Sequence, residues 1–125
     1  MKKNKGILFW ITGLSGSGKT QISKKIYSSI SKKYGPTICV SGDEIRKILN
    51  LKGYDRYQRL EIGKKYIYLA KLITDQKINV IFAVVGLFHK LHKINRATFE
   101  NYLEIYIKSE INKLKMKKKK NFYKK

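Results

Sequence analysis

The feature that most constrains this 125-residue chain is a glycine-rich segment at residues 13–20, directly after the apolar run 7–11. It reads Gly-Leu-Ser-Gly-Ser-Gly-Lys-Thr and matches G-x-x-x-x-G-K-[ST], which binds phosphate where it connects a strand to a helix. Its glycines permit a tight turn that points backbone N–H groups at an anion, and the following helix N-terminus adds to that site. Lys19 can reach the β- and γ-phosphates, and the Thr20 hydroxyl can bind Mg²⁺.

The loop therefore predicts a site for ATP with Mg²⁺, in which Lys19 is catalytic and Thr20 is the metal ligand. The alternative is a glycine-rich turn that binds nothing. The predicted cofactor-binding residues are Gly13, Leu14, Ser15, Gly16, Ser17, Gly18, Lys19 and Thr20.

Composition fits a single cytoplasmic domain. The chain is 42% hydrophobic, which is enough for one core, and no apolar run approaches the roughly 18 residues of a membrane span. A single cysteine, Cys39, excludes an internal disulfide and is expected to be buried within its apolar run. The formal net charge of +21 raises the alternative of a nucleic-acid-binding protein, but the lysines are spread along the whole chain. We therefore expect no specific nucleic acid partner and no membrane association.

Apolar runs alternate with amphipathic segments, which predicts an α/β fold with a mainly parallel sheet flanked by helices in three layers. The predicted strands are residues 7–12, 37–40, 79–85 and 103–107. The predicted helices are residues 19–33, 45–49, 57–75 and 90–101, followed by a helix that Ser109 caps. Two histidines, His89 and His92, follow the third strand, but no nearby sequence partner favours a zinc site.

Asp43 and Arg46 follow the second predicted strand and are the next candidates for chemistry. Ligands of parallel sheets bind at the carboxyl ends of the strands, so Asp43 is expected to face the phosphate loop. A carboxylate there can accept the proton of an attacking hydroxyl or help to hold Mg²⁺, and Arg46 can bind an anionic acceptor. The alternative is that Asp43 caps a helix and Arg46 is a surface residue.

Residues 9–20 resemble the opening of the adenylylsulfate kinases. The resemblance continues through Asp43 and Arg46, within the family's Asp-Gly-Asp-x-x-Arg, and through Tyr54, where the family has Phe after Gly. Residues 80–88 are similar to Val-Ile-x-Ala-x-Ile-Ser-Pro-Phe, and residues 121–125 to Gly-Leu-Tyr-Lys-Lys. This resemblance implies a three-layer P-loop kinase fold. It also implies transfer of the γ-phosphate of ATP to the 3′-hydroxyl of adenylyl sulfate, which gives 3′-phosphoadenylyl sulfate in sulfate assimilation.

The same resemblance implies the roles of the acceptor residues. Asp43 would be the base or the carboxylate beside the metal. Arg46 and Arg59 would bind the phosphate and sulfate of the acceptor nucleotide, and Tyr54 would stack on its base. The implied substrate-binding residues are Asp43, Arg46, Tyr54, Arg59, Val85, Gly86 and Leu87.

The acceptor side departs from the family pattern while the phosphate loop is intact. Ser41 replaces the first Asp of Asp-Gly-Asp, Ile62 replaces an Asn, and Gly86 and Leu87 replace Ser-Pro. Acceptor contacts set specificity, so a changed acceptor is the simplest physical account. The pattern is similar to a capsule-decoration branch of the family whose acceptor is another nucleotide derivative, such as cytidine diphosphoramidate.

Length adds two further expectations. The family continues beyond its Lys-Lys motif, so residues 1–125 are expected to be a single kinase domain that is truncated at its C-terminus, with its lid beginning at residues 113–125. A missing strand would expose a sheet edge and favour association, for example as a homodimer. A nucleotide-binding remnant without catalysis is the alternative to an active kinase.

Overall fold

A four-stranded parallel sheet forms the centre of the fold and carries helices on both faces. The computed structural model describes residues 4–13, 18–86 and 88–108. The strands are β1 (Leu8–Gly13), β2 (Thr37–Ser41), β3 (Asn79–Val85) and β4 (Tyr102–Tyr106). The helices are α1 (Lys19–Tyr34), α2 (Gly42–Leu49), α3 (Arg56–Thr74) and α4 (His89–Thr98). The α/β fold predicted from the alternating pattern is therefore confirmed.

The strand order is β2-β3-β1-β4, so β1 and β3 are central and β2 and β4 are edges of the described sheet. Trp10 of β1 pairs with Phe82 of β3 on one side and with Glu104 of β4 on the other. All pairs are parallel, so the carboxyl ends of the four strands lie at one edge of the sheet. That edge is where ligands of such sheets bind.

Both faces of the central strands are covered, and apart from Thr12, Asn79 and the final glycine of β1 their residues are apolar. Leu8 and Trp10 belong to the core formed with α3 and α4, where the Trp10 and Phe82 rings lie 5.5 Å apart. Phe9 and Ile11 point to the opposite face and pack with Ile30 of α1. Each such buried side chain contributes about 1.5–3 kcal/mol through the hydrophobic effect, so β1 is fixed before any ligand binds.

The end of α4 differs from the prediction. The helix ends at Thr98, and the residues predicted to extend it to residue 101 instead lead into β4. Asn101 is buried, its carbonyl accepts the Leu8 N–H at 3.0 Å, and its side-chain amide donates to the Lys5 carbonyl at 3.1 Å. These bonds hold the start of β4 beside β1, which a continued helix could not do.

Cys39 is exposed, which corrects the expectation of a buried core thiol. The cause is the strand order: β2 is an edge strand, and on the α1 side of the sheet it is not fully covered. A cavity of about 770 Å³ opens there, between Tyr27 of α1 and Glu44 of α2. The apolar run at residues 38–40 therefore predicted a strand correctly but did not predict burial.

No helix within the described ranges is both long enough and apolar enough to cross a membrane. The helix predicted after Ser109 and the lid predicted at residues 113–125 lie outside the described residues.

A polar cluster joins α4 to β4. The Glu104 carboxylate accepts a hydrogen bond from Arg96 at 2.8 Å and lies 3.3 Å from Nδ1 of the buried His92. Burial lowers the pKa of His92, although the negative charge of Glu104 opposes this shift. Burial alone would raise the pKa of Glu104, but the bond from Arg96 and the charge of His92 hold it below its usual range. Sequence spacing had suggested no carboxylate near the histidines, because Glu104 comes from a later strand.

We expect the fold to lose stability as the pH falls below about 6.5, the ordinary pKa of histidine. The folded pKa of His92 is lowered, so the unfolded chain binds the additional proton first, and the stability from neutral His92 is complete only above that pH.

Thermal unfolding from about pH 7.5 to about pH 5.5 measures this loss of stability. The His92→Asn variant should show a flatter dependence. The His89→Asn control removes the exposed histidine of the same helix, whose charge contributes to the lowered pKa of His92, and should change the slope much less than His92→Asn does. Equal slopes in all three proteins would contradict this assignment.

Candidate functional site

Lys19 lies at the carboxyl end of β1. It is the first residue of α1 and follows Gly18, whose φ of +98° is in the left-handed region that favours glycine. Its side chain is buried, and Nζ donates a hydrogen bond to the Gly13 carbonyl at 3.1 Å. The Gly86 N–H donates to the same carbonyl at 3.0 Å, so the ends of β1 and β3 meet beside the amine.

The electrostatics of this amine connect two of the predicted catalytic residues. Burial lowers the pKa of Lys19, while the negative charge of Asp43 acts in the opposite direction and favours the ammonium form. The two side chains come from different strand–helix junctions, so the fold brings them together as the convergence of strand ends predicts. Among the other predicted loop residues, Thr20 is exposed in the first turn of α1. The residues of the loop that lie outside the described ranges are Leu14, Ser15, Gly16 and Ser17.

Asp43 does not cap α2, which corrects the structural alternative for this residue. Ser41 is the cap: its hydroxyl accepts the Glu44 N–H at 3.2 Å, and the Glu44 carboxylate accepts the Ser41 N–H at 2.9 Å. This capping box explains why α2 begins at Gly42, whereas the sequence predicted a helix that begins near residue 45. Since Ser41 provides the cap, the carboxylate of Asp43 is not used for capping, and Asp43 lines a cavity between α2, α3 and the end of β3.

A cavity of about 330 Å³ lies between α2, α3 and the end of β3. It brings together five of the predicted substrate-binding residues: Asp43, Arg46, Tyr54, Arg59 and Val85. Gly86 lies next to it against Arg59, and Leu87 is outside the described residues. The floor of the cavity includes Ile62, Gly63 and Tyr66 of α3, which the site prediction did not include. Tyr66 is three residues from Gly63 and four from Ile62, so it shares a helix face with each of them. This spacing is the sequence signal that could have identified them.

The first of the two arginines in this cavity is paired with an aromatic ring. The guanidinium carbon of Arg46 lies 4.3 Å from the centroid of the Tyr54 ring, a cation–π geometry. Its NH1 group also donates to the Gly53 carbonyl at 2.9 Å. These contacts hold the guanidinium in place in the wall of the cavity. Arg46 is therefore not a simple surface residue, which was the alternative interpretation of the sequence.

Arg59 is held by the end of β3. Its NH2 group lies 3.5 Å from the Val85 carbonyl, at the limit of a hydrogen bond, and passes over Gly86. Gly86 has a φ of +90°, and a Cβ atom there would lie 2.7 Å from that NH2 group. The absence of a side chain at this position therefore sets how far Arg59 extends across the cavity.

We expect Gly86→Ala to reduce stability by about 1–3 kcal/mol, because an L-residue is strained at this φ. It should also weaken the binding of an anionic ligand in this cavity about tenfold, since the added Cβ displaces the guanidinium of Arg59. Chemical denaturation and ligand-binding calorimetry measure the two effects. Gly35→Ala is the matched control: its φ is +95°, but a Cβ there meets nothing within 4 Å. A Gly86→Ala variant with unchanged affinity for anionic ligands would contradict the predicted binding role of Arg59.

Comparison with known proteins gives consistent matches. The family model described as adenylylsulphate kinase matches residues 5–125. A cytidine diphosphoramidate kinase of Campylobacter jejuni is 37% identical over 121 residues, covering 97% of this chain and 71% of that protein. A probable adenylyl-sulfate kinase of Aeropyrum pernix is 30% identical over 126 residues, covering 97% of this chain and 69% of that protein. A solved APS kinase structure from Mycobacterium tuberculosis superimposes with a TM-score of 0.71 at 25% identity, covering 82% of this chain and 76% of that one.

Proposed function

Because the chain belongs to the adenylylsulphate kinase family, whose members are phosphotransferases, we propose that it transfers the γ-phosphoryl group of ATP to a hydroxyl of a small nucleotide. The observation that carries this proposal is the position of two groups at the same edge of the sheet. The buried amine of Lys19 donates to the Gly13 carbonyl at the end of β1, and Asp43, whose negative charge acts on that amine, lines the arginine-rich cavity. The amine that would contact the donor phosphates, the carboxylate that would act as the base, and the cavity for the acceptor are thereby adjacent.

Lys19 acts on the donor. Negative charge on the oxygens of the transferring phosphoryl group must be stabilised without rearrangement at the moment of reaction. Lys19 meets this requirement because its amine is anchored on the Gly13 carbonyl and is shielded from solvent, where a charge interaction is stronger than in water.

The residues of this edge fit Mg²⁺. The candidate donors are oxygens: the Thr20 hydroxyl would bind the ion, and the Asp43 carboxylate would help to hold it through water. Mg²⁺ takes one or two protein ligands together with water and substrate phosphates. Within residues 4–13, 18–86 and 88–108, no group of three or more His, Cys, Asp or Glu side chains is arranged to hold a metal ion. When bound, Mg²⁺ supplies charge neutralisation at the β- and γ-phosphates.

The acceptor binds in the cavity of about 330 Å³. Arg46 and Arg59 provide two fixed guanidinium groups for its anionic groups, and the Tyr54 ring offers a surface for its base. Asp43 accepts the proton of the attacking hydroxyl as the phosphoryl group is transferred. The phosphoryl group therefore passes from the Lys19 side of Asp43 to the cavity side.

We favour cytidine diphosphoramidate as the acceptor over adenylyl sulfate. Identity is 37% to the cytidine diphosphoramidate kinase and 30% to the probable adenylyl-sulfate kinase over nearly the same length. The departures at Ser41, Ile62 and Gly86 lie at or next to the acceptor cavity, which is where a change of acceptor requires them. The second candidate, adenylyl sulfate, is favoured by the description of the family as a whole.

Steady-state kinetics with both acceptors, at saturating ATP and Mg²⁺, test this proposal. We expect kcat/KM for cytidine diphosphoramidate to exceed that for adenylyl sulfate by at least about tenfold, because acceptor contacts differ while donor contacts are shared. The reverse ratio would assign the chain to adenylyl sulfate. ATP binding without transfer to either nucleotide would instead indicate the non-catalytic alternative.

A further inference from the structure

Two arginines, Arg56 and Arg59, lie against the ring of Phe88 at the border of the acceptor cavity. The guanidinium carbon of Arg56 is 5.3 Å from the centroid of the Phe88 ring, and that of Arg59 is 5.2 Å from the same centroid. Phe88 and Arg59 line the cavity, whereas Arg56 is exposed and lies just outside the lining. Arg56 and Arg59 are three residues apart on α3, so both guanidinium groups extend from one face of the helix.

The position of Arg56 is unfavourable for the helix itself. It is the first residue of α3, whose first turn contains no acidic residue, and the helix dipole disfavours a positive charge at that end. Within the described residues, the ion pairs of the fold do not include Arg56 or Arg59. The cap, Asp55, uses its carboxylate to accept the Gln58 N–H at 2.7 Å. Two guanidinium groups are thus held on one ring, and among the described residues neither of them forms an ion pair with a carboxylate.

We propose that Arg56 is a specificity-determining residue that binds the anionic group at the far end of the acceptor, beyond the phosphate next to the ribose. This inference rests on the proposed function, since it assumes that the cavity takes a nucleotide. Arg46 and Arg59 line the cavity itself, while Arg56 lies outside that lining and against Phe88, which is where the far end of a longer acceptor would extend. The chemical class selected is a nucleotide with two linked anionic groups, such as a nucleoside diphosphate, over the corresponding monophosphate. Phe88 holds the guanidinium of Arg56 in place through the face of its ring.

Direct binding tests this assignment independently of catalysis. Calorimetry with CMP, CDP, AMP and adenylyl sulfate, with a non-hydrolysable ATP analogue filling the donor site, compares one and two anionic groups on two bases. For whichever base, cytosine or adenine, the protein binds, Arg56→Ala should weaken the affinity for the nucleotide with two anionic groups about tenfold. It should change the affinity for the corresponding monophosphate less than about twofold. Arg56→Lys keeps the charge but not the planar group, so we expect an intermediate loss.

Lys93→Ala is the matched control, because it removes one exposed positive charge from α4. It should leave all four affinities unchanged. An equal loss for monophosphate and two-anion nucleotides in Arg56→Ala, or no loss for either, would overturn the inference, and so would failure of all four nucleotides to bind. Arg56-dependent selection without phosphoryl transfer would support the inference while contradicting the proposed kinase activity.

Discussion

Lys19→Ala is expected to lower kcat/KM for phosphoryl transfer by about 10³-fold or more, since a fixed charge aimed at the transferring group is worth this much in comparable sites. The amine of Lys19 is buried and donates to the Gly13 carbonyl at 3.1 Å, so its charge is held in a fixed position. Initial rates with ATP and the acceptor, together with ATP affinity by calorimetry, measure the loss.

The fold should survive this substitution, which makes the kinetic result interpretable. The Gly13 carbonyl still accepts the Gly86 N–H at 3.0 Å, so it is not left unpaired when the amine is removed. Lys25→Ala is the control, because Lys25 is an exposed lysine of the same helix. Its activity should equal that of the wild type. Wild-type turnover in Lys19→Ala would defeat the kinase assignment, provided that thermal unfolding shows both variants folded.

The second large effect is expected for Asp43→Asn, which should lower kcat by about 10²–10⁴-fold with little change in ATP affinity. The amide has the shape of the carboxylate but cannot accept the proton of the attacking hydroxyl. Because the negative charge of Asp43 favours the protonated form of Lys19, the variant should also lower the pKa of that lysine further. The pH–rate profile of the variant should therefore fall at a lower alkaline pH than that of the wild type.

Glu44→Gln provides the matched control for this prediction. It removes a negative charge from the adjacent position of α2, and its amide oxygen can still accept the Ser41 N–H. We expect its kcat to stay within about threefold of the wild type, since it does not line the acceptor cavity. Equal losses of kcat and of ATP affinity in Asp43→Asn would assign Asp43 a structural role.

Local sequence patterns predicted the parts of the site that follow directly from chain order. The glycine-rich loop after an apolar run placed Lys19 at the end of β1, and the polar residues after the second strand placed Asp43 at the same edge. This worked because parallel strands bring their carboxyl ends together whatever their order in the sheet.

Features that depend on pairing between distant segments could not be predicted in this way. The exposure of Cys39 follows from the edge position of β2, and the cluster of His92 with Glu104 follows from the position of β4. The contact of Arg56 with Phe88 joins the first residue of α3 to the residue before α4, and the rest of α3 and all of β3 lie between them in the chain. The order of strands in a sheet and the packing of one helix on another are not encoded in any single window of sequence.

The measurement that tests the central claim most directly is transfer of label from [γ-³²P]ATP to a small nucleotide. Cytidine diphosphoramidate and adenylyl sulfate are offered separately, and the products are separated by thin-layer chromatography. The account predicts that label appears on a nucleotide product with the wild-type protein and is absent with Lys19→Ala. Label found only in inorganic phosphate, or equal transfer by the two proteins, would contradict it.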